Sequence, residues 1–204
     1  LSVHGAIGSR TIDDALDAIG AKTPTPGGGA AAALGAALGA ALGRMVLNFT
    51  LGKRAYAEHD DENARRLETL ARLEREALRA CERDERAYAR LNTLWKLGER
   101  DPERETHFDD ALREAIAAPR DLIDLCAQTL EVLEACTNTT NTTLRSDLGV
   151  GAVLVRGAAH AAAWNVRINL ASLGDDQRPA HQHDLRRALD AIDGACARIE
   201  GACA

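Results

Sequence analysis

Residues 60–97 read DDENARRLETLARLEREALRACERDERAYARLNTLWKL, with no Pro or Gly anywhere along them. Leu67, Leu70, Leu73, Ala77, Cys81, Tyr88, Leu91 and Trp95 recur in steps of three and four, the period of one face of an α-helix. At 1.5 Å per residue such a helix is about 55 Å long. That exceeds the width of a compact monomer of 204 residues, so the stretch predicts an elongated bundle or a dimer.

The rest of the composition agrees. Hydrophobic residues make up 46% and charged residues 27%, enough to bury a core, but aromatics are only 3%. Ala, Leu, Glu and Arg dominate, and there are 5 Pro; this is helix-forming chemistry, without the β-branched and aromatic runs that strands need. The net charge of −6 and a pI near 5.5 lack the basic face that nucleic acid requires. Five cysteines without a C-x-x-C spacing predict reduced thiols in a cytoplasmic protein rather than a disulfide framework or a zinc site. No signal peptide is visible, and the most membrane-like stretch, residues 30–43, is too short to span a bilayer.

Outward from the long helix, residues 11–19 form a short helix with Thr11 as N-cap and Asp14 completing a capping box. Lys22-Thr23-Pro24-Thr25-Pro26-Gly27-Gly28-Gly29 is a loop. Residues 30–52 resume as a buried helix whose Gly35, Gly39 and Gly43 recur every fourth position. Each glycine costs helix propensity, roughly 1 kcal/mol, and that cost is reasonable if the bare stripe admits a neighbouring helix. Gly98 to Pro102 ends the long helix; residues 103–136 are helical with Pro119 as a kink or a new start; residues 137–143, all Thr and Asn, are a loop. Residues 144–173 and 181–203 are the last helices, with Pro179, His181 and His183 in the break between them. The expectation is one all-α domain over 1–204, an elongated up-and-down bundle of long antiparallel helices that dimerises.

Five features could carry chemistry. Asp84 lies three after Cys81 and four before Tyr88, so a carboxylate shares the apolar stripe. Burial raises a carboxyl pKa and makes it a candidate acid/base; the alternative is a structural ion pair with an Arg on a neighbouring helix. Asp147 follows Ser146 after the Asn/Thr loop, where a helix cap is the plain alternative. Asn165 and Asn169 are an i, i+4 pair on a small-residue stripe, suited either to interhelical hydrogen bonds or to ligand contacts. The Gly-rich loop before a helix offers amides to a polar group, though it is no nucleotide loop. Lys53, Arg54 and Tyr56 make a small basic, aromatic cluster. No His has Glu three residues before it, so the di-iron bundle signature is missing and no metal is expected.

Thr25-Pro26-Gly27-Gly28-Gly29-Ala30, residues 36–45, Asn48-Phe49-Thr50-Leu51-Gly52-Lys53 with Tyr56, Asp84-Glu85-Arg86-Ala87-Tyr88, Arg145-Ser146-Asp147, and Asn165-Val166 with Ile168-Asn169 follow in an order that resembles the cyclodeaminase/cyclohydrolase family of folate enzymes, from about residue 11 to 197. The resemblance implies an all-helical homodimer acting on a small-molecule folate, with no membrane, nucleic acid, metal or further cofactor. Two activities belong to that family. Methenyltetrahydrofolate cyclohydrolase opens the methenyl bridge with water to give 10-formyltetrahydrofolate, and formiminotetrahydrofolate cyclodeaminase closes it with loss of ammonia. The resemblance implies Asp84 and Asp147 as catalytic residues. It implies Pro26, Gly27, Gly28, Gly29, Lys53, Tyr56, Tyr88, Asn141, Asn165 and Asn169 as substrate contacts, with Lys53 toward the glutamate tail. Ala30 after the glycines and the Asn-Phe-Thr-Leu-Gly-Lys run lean toward the cyclohydrolases. Leu97-Gly98-Glu99 stands where family members carry Leu-Pro-Lys, a departure that bears on tail binding.

Overall fold

The helix-forming segments and the breaks between them give six α-helices in the computed structural model, which describes residues 6–204. They are α1 (Ile12–Gly20), α2 (Gly28–Asn48), α3 (Asp60–Trp95), α4 (Pro102–Cys136), α5 (Arg145–Leu170) and α6 (Arg178–Cys203), with short 3-10 turns at Ile7–Ser9, Arg54–His59 and Thr142–Leu144. No strand occurs among the described residues. Thr11 caps α1 as expected: its Oγ1 accepts from the Asp14 N–H at 3.1 Å and donates to Asp14 Oδ2 at 2.6 Å.

The glycine stripe forms the central seam. A Cβ on Gly39 would stand 2.7 Å from the Gly151 carbonyl oxygen, one on Gly43 would stand 2.8 Å from Leu70 Cδ1, and one on Gly35 would touch Ala158 at 3.5 Å. These pairings fix directions. Gly35 opposite Ala158 and Gly39 opposite Val155 run α5 antiparallel to α2, while Gly43 beside Leu70 and Gly29 beside Asp84 do the same for α3. α4 lies antiparallel to α3, tied by Arg83–Asp121 and Arg90–Glu114. α6 covers α4 and α5 and is anchored to α4 by the two-pronged Arg198–Glu134 pair at 2.6 and 2.9 Å. One continuous apolar core, mostly Ala and Leu, joins the helices.

Several boundaries differ from expectation for local reasons. α2 begins at Gly28, inside the glycine run, and ends at Asn48; the following turn closes at Gly52, whose φ of 76° is a left-handed conformation that glycine adopts freely. α2 is therefore longer than residues 30–43, long and apolar enough by length and composition to cross a membrane, yet its glycine face is buried against α3 and α5. α4 runs unbroken through Pro119. α6 starts at Arg178, so Pro179, His181 and His183 are helical; Pro is tolerated in a first turn, where its missing N–H has no partner to lose. Along α3 the buried face is Leu70, Leu73, Ala77, Cys81, Ala87, Leu91 and Leu94, whereas Tyr88 and Trp95 stand 36% and 37% exposed. The rows that stay buried are Leu70, Ala77 and Leu91 and Leu73, Ala80, Ala87 and Leu94, and Tyr88 and Trp95, each one residue past a member of the second row, lie at the edge of that face.

Replacing Gly39 by Ala puts a methyl group against backbone that cannot yield, and should cost about 1–3 kcal/mol in urea unfolding. Gly98→Ala, with nothing within 4 Å, should stay within about 0.5 kcal/mol of wild type. Equal effects at the two positions would contradict a close-packed seam.

Candidate active site

Asp84 sits about two-thirds of the way down α3 and faces the first turn of α2. A Cβ on Gly29 would collide with its carboxylate, Cγ lying 2.9 Å away, and would meet Asn165 Nδ2 at 3.4 Å; a Cβ on Gly28 would stand 3.8 Å from Asn165 Oδ1. Gly28, Gly29, Asp84 and Asn165 therefore converge, and glycine at 29 is what leaves room for the acid. α2 starts at this level, while α3 continues to Trp95, about 16 Å further. Tyr88 is the next turn of α3 on that side.

The carboxylate has no ion pair or hydrogen bond among the described residues; of its neighbours on α3, Arg90 pairs with Glu114 at 2.7 Å, while Arg83 lies 3.9 Å from Asp121 with its Nε making no hydrogen bond. Burial pushes the Asp84 carboxyl from 3.8 up to about 6, and the charge of Glu85 adds to this. The uncapped amides of the α2 N-terminus, after Gly27, face the same space and favour negative charge there. The ensemble is a desolvated carboxyl group beside unused donors and a free amide.

The remaining expected residues lie elsewhere. At the other end of α2, about 30 Å away at 1.5 Å per residue, the Tyr56 hydroxyl accepts from the Thr142 N–H at 3.2 Å. That bond holds the phenol below its ordinary value, helped by Lys53 and Arg145. Thr50, fully buried, donates to the Val46 carbonyl at 2.7 Å and accepts from the Asn141 N–H at 3.0 Å, joining the end of α2 to the loop before α5. Asn141 spends its side-chain oxygen on the Thr143 N–H and hydroxyl. Asp147 is not a cap: Leu144 occupies the cap of α5, and Asp147 is in its first turn. Asn169 parts from Asn165, its Nδ2 donating to the Ala115 carbonyl at 2.7 Å. Pro26 and Gly27 are in the loop that leads into α2. Two groups result: Gly28, Gly29, Asp84, Tyr88 and Asn165 at one end, and Lys53, Tyr56, Asn141 and Asp147 at the other.

Sequence reasoning missed the outward stripe of α5. Val150, Val153, Gly157, Ala161, Trp164 and Ile168 are all exposed, Trp164 by 70% and Ile168 by 71%, with Leu38 of α2 and Phe49 just after it also exposed. Its three-and-four spacing was a readable signal, and Asp147 begins it while Asn165 borders it. No group of three or more His, Cys, Asp or Glu that could hold a metal occurs among the described residues.

Residues 11–187 match the family model described as formiminotransferase-cyclodeaminase. The chain is 31% identical over 172 residues to methenyltetrahydrofolate cyclohydrolase of Methylorubrum extorquens, covering 82% of this chain and 83% of that one. It is 33% identical over 162 residues to formimidoyltransferase-cyclodeaminase of Mus musculus, covering 78% of this chain but only 30% of that longer protein. The crystal structure of formiminotetrahydrofolate cyclodeaminase from Thermotoga maritima superposes with a TM-score of 0.89 at 26% identity, covering 97% of each chain.

Because the folded chain holds Asp84 near 6 rather than its ordinary 3.8, the unfolded chain releases this proton first as pH rises. Native stability is then lost between about pH 4 and pH 6 and the loss persists above. Asp84→Asn should match wild type near pH 3 and gain on it by on the order of 2 kcal/mol at pH 7. Parallel urea titrations at the two pH values test this, and a variant that weakens at pH 7 would show the carboxylate to be stabilised by a partner.

Proposed function

The chain belongs to the formiminotransferase-cyclodeaminase family of folate one-carbon enzymes, and we propose that it hydrolyses 5,10-methenyltetrahydrofolate to 10-formyltetrahydrofolate with Asp84 as the acid and base. The observation that carries this is the unpaired, desolvated carboxylate of Asp84 beside Gly29 and Asn165. The methenyl bridge is a cation, which a buried negative charge attracts. Water adds to the bridge carbon and gives one proton to Asp84. The bond to N-5 then breaks, N-5 takes that proton back, and the remaining hydroxyl proton leaves as the formyl C=O forms. A group titrating near 6 accepts and returns a proton efficiently at neutral pH, and a positioned base contributes about 10²–10⁴-fold. Asn165, with both amide atoms facing the glycines, suits the oxygen of the tetrahedral carbon.

The cyclohydrolase reading is supported by the relative matched over most of its length. Cyclodeamination remains the second reading, favoured by the likeness to the Thermotoga maritima enzyme; there Asp84 would protonate the departing ammonia. Neither needs a metal or a further cofactor. Free cysteines, four of them buried, are in keeping with a reducing cytoplasm.

The separation of the two residue groups, about 30 Å, exceeds the reach of a monoglutamyl folate. We infer a homodimer in which the α5 stripe, with Leu38 and Phe49, meets its own copy about a two-fold axis, the paired helices running antiparallel. An isologous contact of that kind brings Lys53, Tyr56 and Asp147 of one copy toward Asp84 of the other, and Lys53 toward the glutamate tail.

Loss of the near-ultraviolet absorbance of methenyltetrahydrofolate faster than in buffer is expected. The rate should fall below about pH 6 as Asp84 takes up its proton, and Asp84→Asn should lower kcat by about 10²–10⁴. Release of ammonia from the formimino substrate alone would select the second reading, and turnover of neither would reject both. Mixing inactive Asp84→Asn with weakened Lys53→Ala chains should restore activity, because one site of the mixed dimer then carries neither change; no recovery in a verified mixed dimer would refute a shared site.

A further inference from the structure

Pro119 lies inside α4 and has no N–H, so the carbonyl four residues earlier, Ala115, has no helical donor. The donor comes from another helix: Asn169 Nδ2 reaches that oxygen at 2.7 Å, in a buried setting. Asn169 is the penultimate residue of α5, where helix ends ordinarily fray. A second clamp acts one residue later. The Arg178 guanidinium, from the start of α6, donates to the carbonyls of Leu170, Ala171 and Leu173 at 3.1, 3.3 and 2.7 Å, at and just beyond the end of α5, where carbonyls lack helical donors. The last turn of α5 is thus held from two sides, and the turn just before it carries Asn165.

Resting on the reading of Asp84 and Asn165 given above, we propose that Asn169 is a positioning residue: through the Ala115 carbonyl freed by Pro119, it fixes the register of α5 on α4 and so holds Asn165 against Gly28, Gly29 and Asp84. It touches neither the substrate nor the reacting atoms. The proline is the other half of the device, because it leaves Asn169 as the donor on which the Ala115 carbonyl depends; an ordinary residue at 119 would offer that oxygen a second donor within α4.

Three variants test this: Asn169→Leu, Pro119→Ala, and the double variant. Asn169→Leu should lower the melting temperature, and Pro119→Ala in the same chain should restore it, since the new N–H satisfies Ala115. Restored stability should not restore positioning. The double variant is expected to keep kcat about 10–100-fold below wild type with KM nearly unchanged, and its Asp84 carboxyl, followed by carbon NMR, should titrate away from about 6. Return of both kcat and the Asp84 titration to wild type would reduce Asn169 to a purely structural role and overturn the proposal. A rise in KM with kcat intact would overturn it too, by making Asn169 a substrate contact. A wild-type protein that turns over neither folate removes the preceding functional reading, while the Asp84 titration still decides the tether.

Discussion

Close approach of bare backbone is the constraint on which this bundle depends. α2 can occupy the middle because Gly39 and Gly43 let Gly151 and Leu70 come nearer than any side chain would allow, and the same absence of a Cβ at Gly29 admits the Asp84 carboxylate. Packing and chemistry are set by one helix and one residue type. Glycine weakens a helix when it is exposed; here the close packing it permits offsets that weakness, so α2 is stable only in company. Its capacity to hold an acid beside its first turn follows from the same arrangement.

The electrostatics follow from that geometry. An acid on α3 would ordinarily find one of the many arginines nearby, but Arg83 and Arg90 are drawn across to Asp121 and Glu114 on α4. Asp84 is left without a counter-ion in a space partly closed by α2 and α5. Burial with no compensating partner, together with the charge of Glu85, raises the carboxyl toward neutral pH, so neutralising this group relieves a cost to stability.

Much of this was legible in the amino-acid order because it is periodic or local. The unbroken run 60–97, the glycines at intervals of four and the Thr11 cap each carry their own signal within a few turns of chain. Asp84 on an apolar stripe was legible for the same reason. The partner of Asn169 was not, since it depends on a carbonyl 54 residues away made available by a proline on a different helix. The exposure of Tyr88 and Trp95 was not legible, because steps of three and four fit adjacent rows of one helix and only the packing shows which row is covered. The division of the site residues between two ends was invisible as well: Lys53 and Asp84 are both on or beside helices that touch α2, and only the direction of that helix separates them.

α2 starts level with the acid while α3 runs on for three further turns. The Asp84 carboxylate therefore sits on a step formed by helices of unequal length, and the height of the step is a property of where one helix begins. An insertion of a single turn before Gly28 would raise a wall in front of Asp84, and a deletion would withdraw the floor from under Asn165. The space in front of Asp84 can thus be tuned by chain length at one junction, with the side chains around it left as they are.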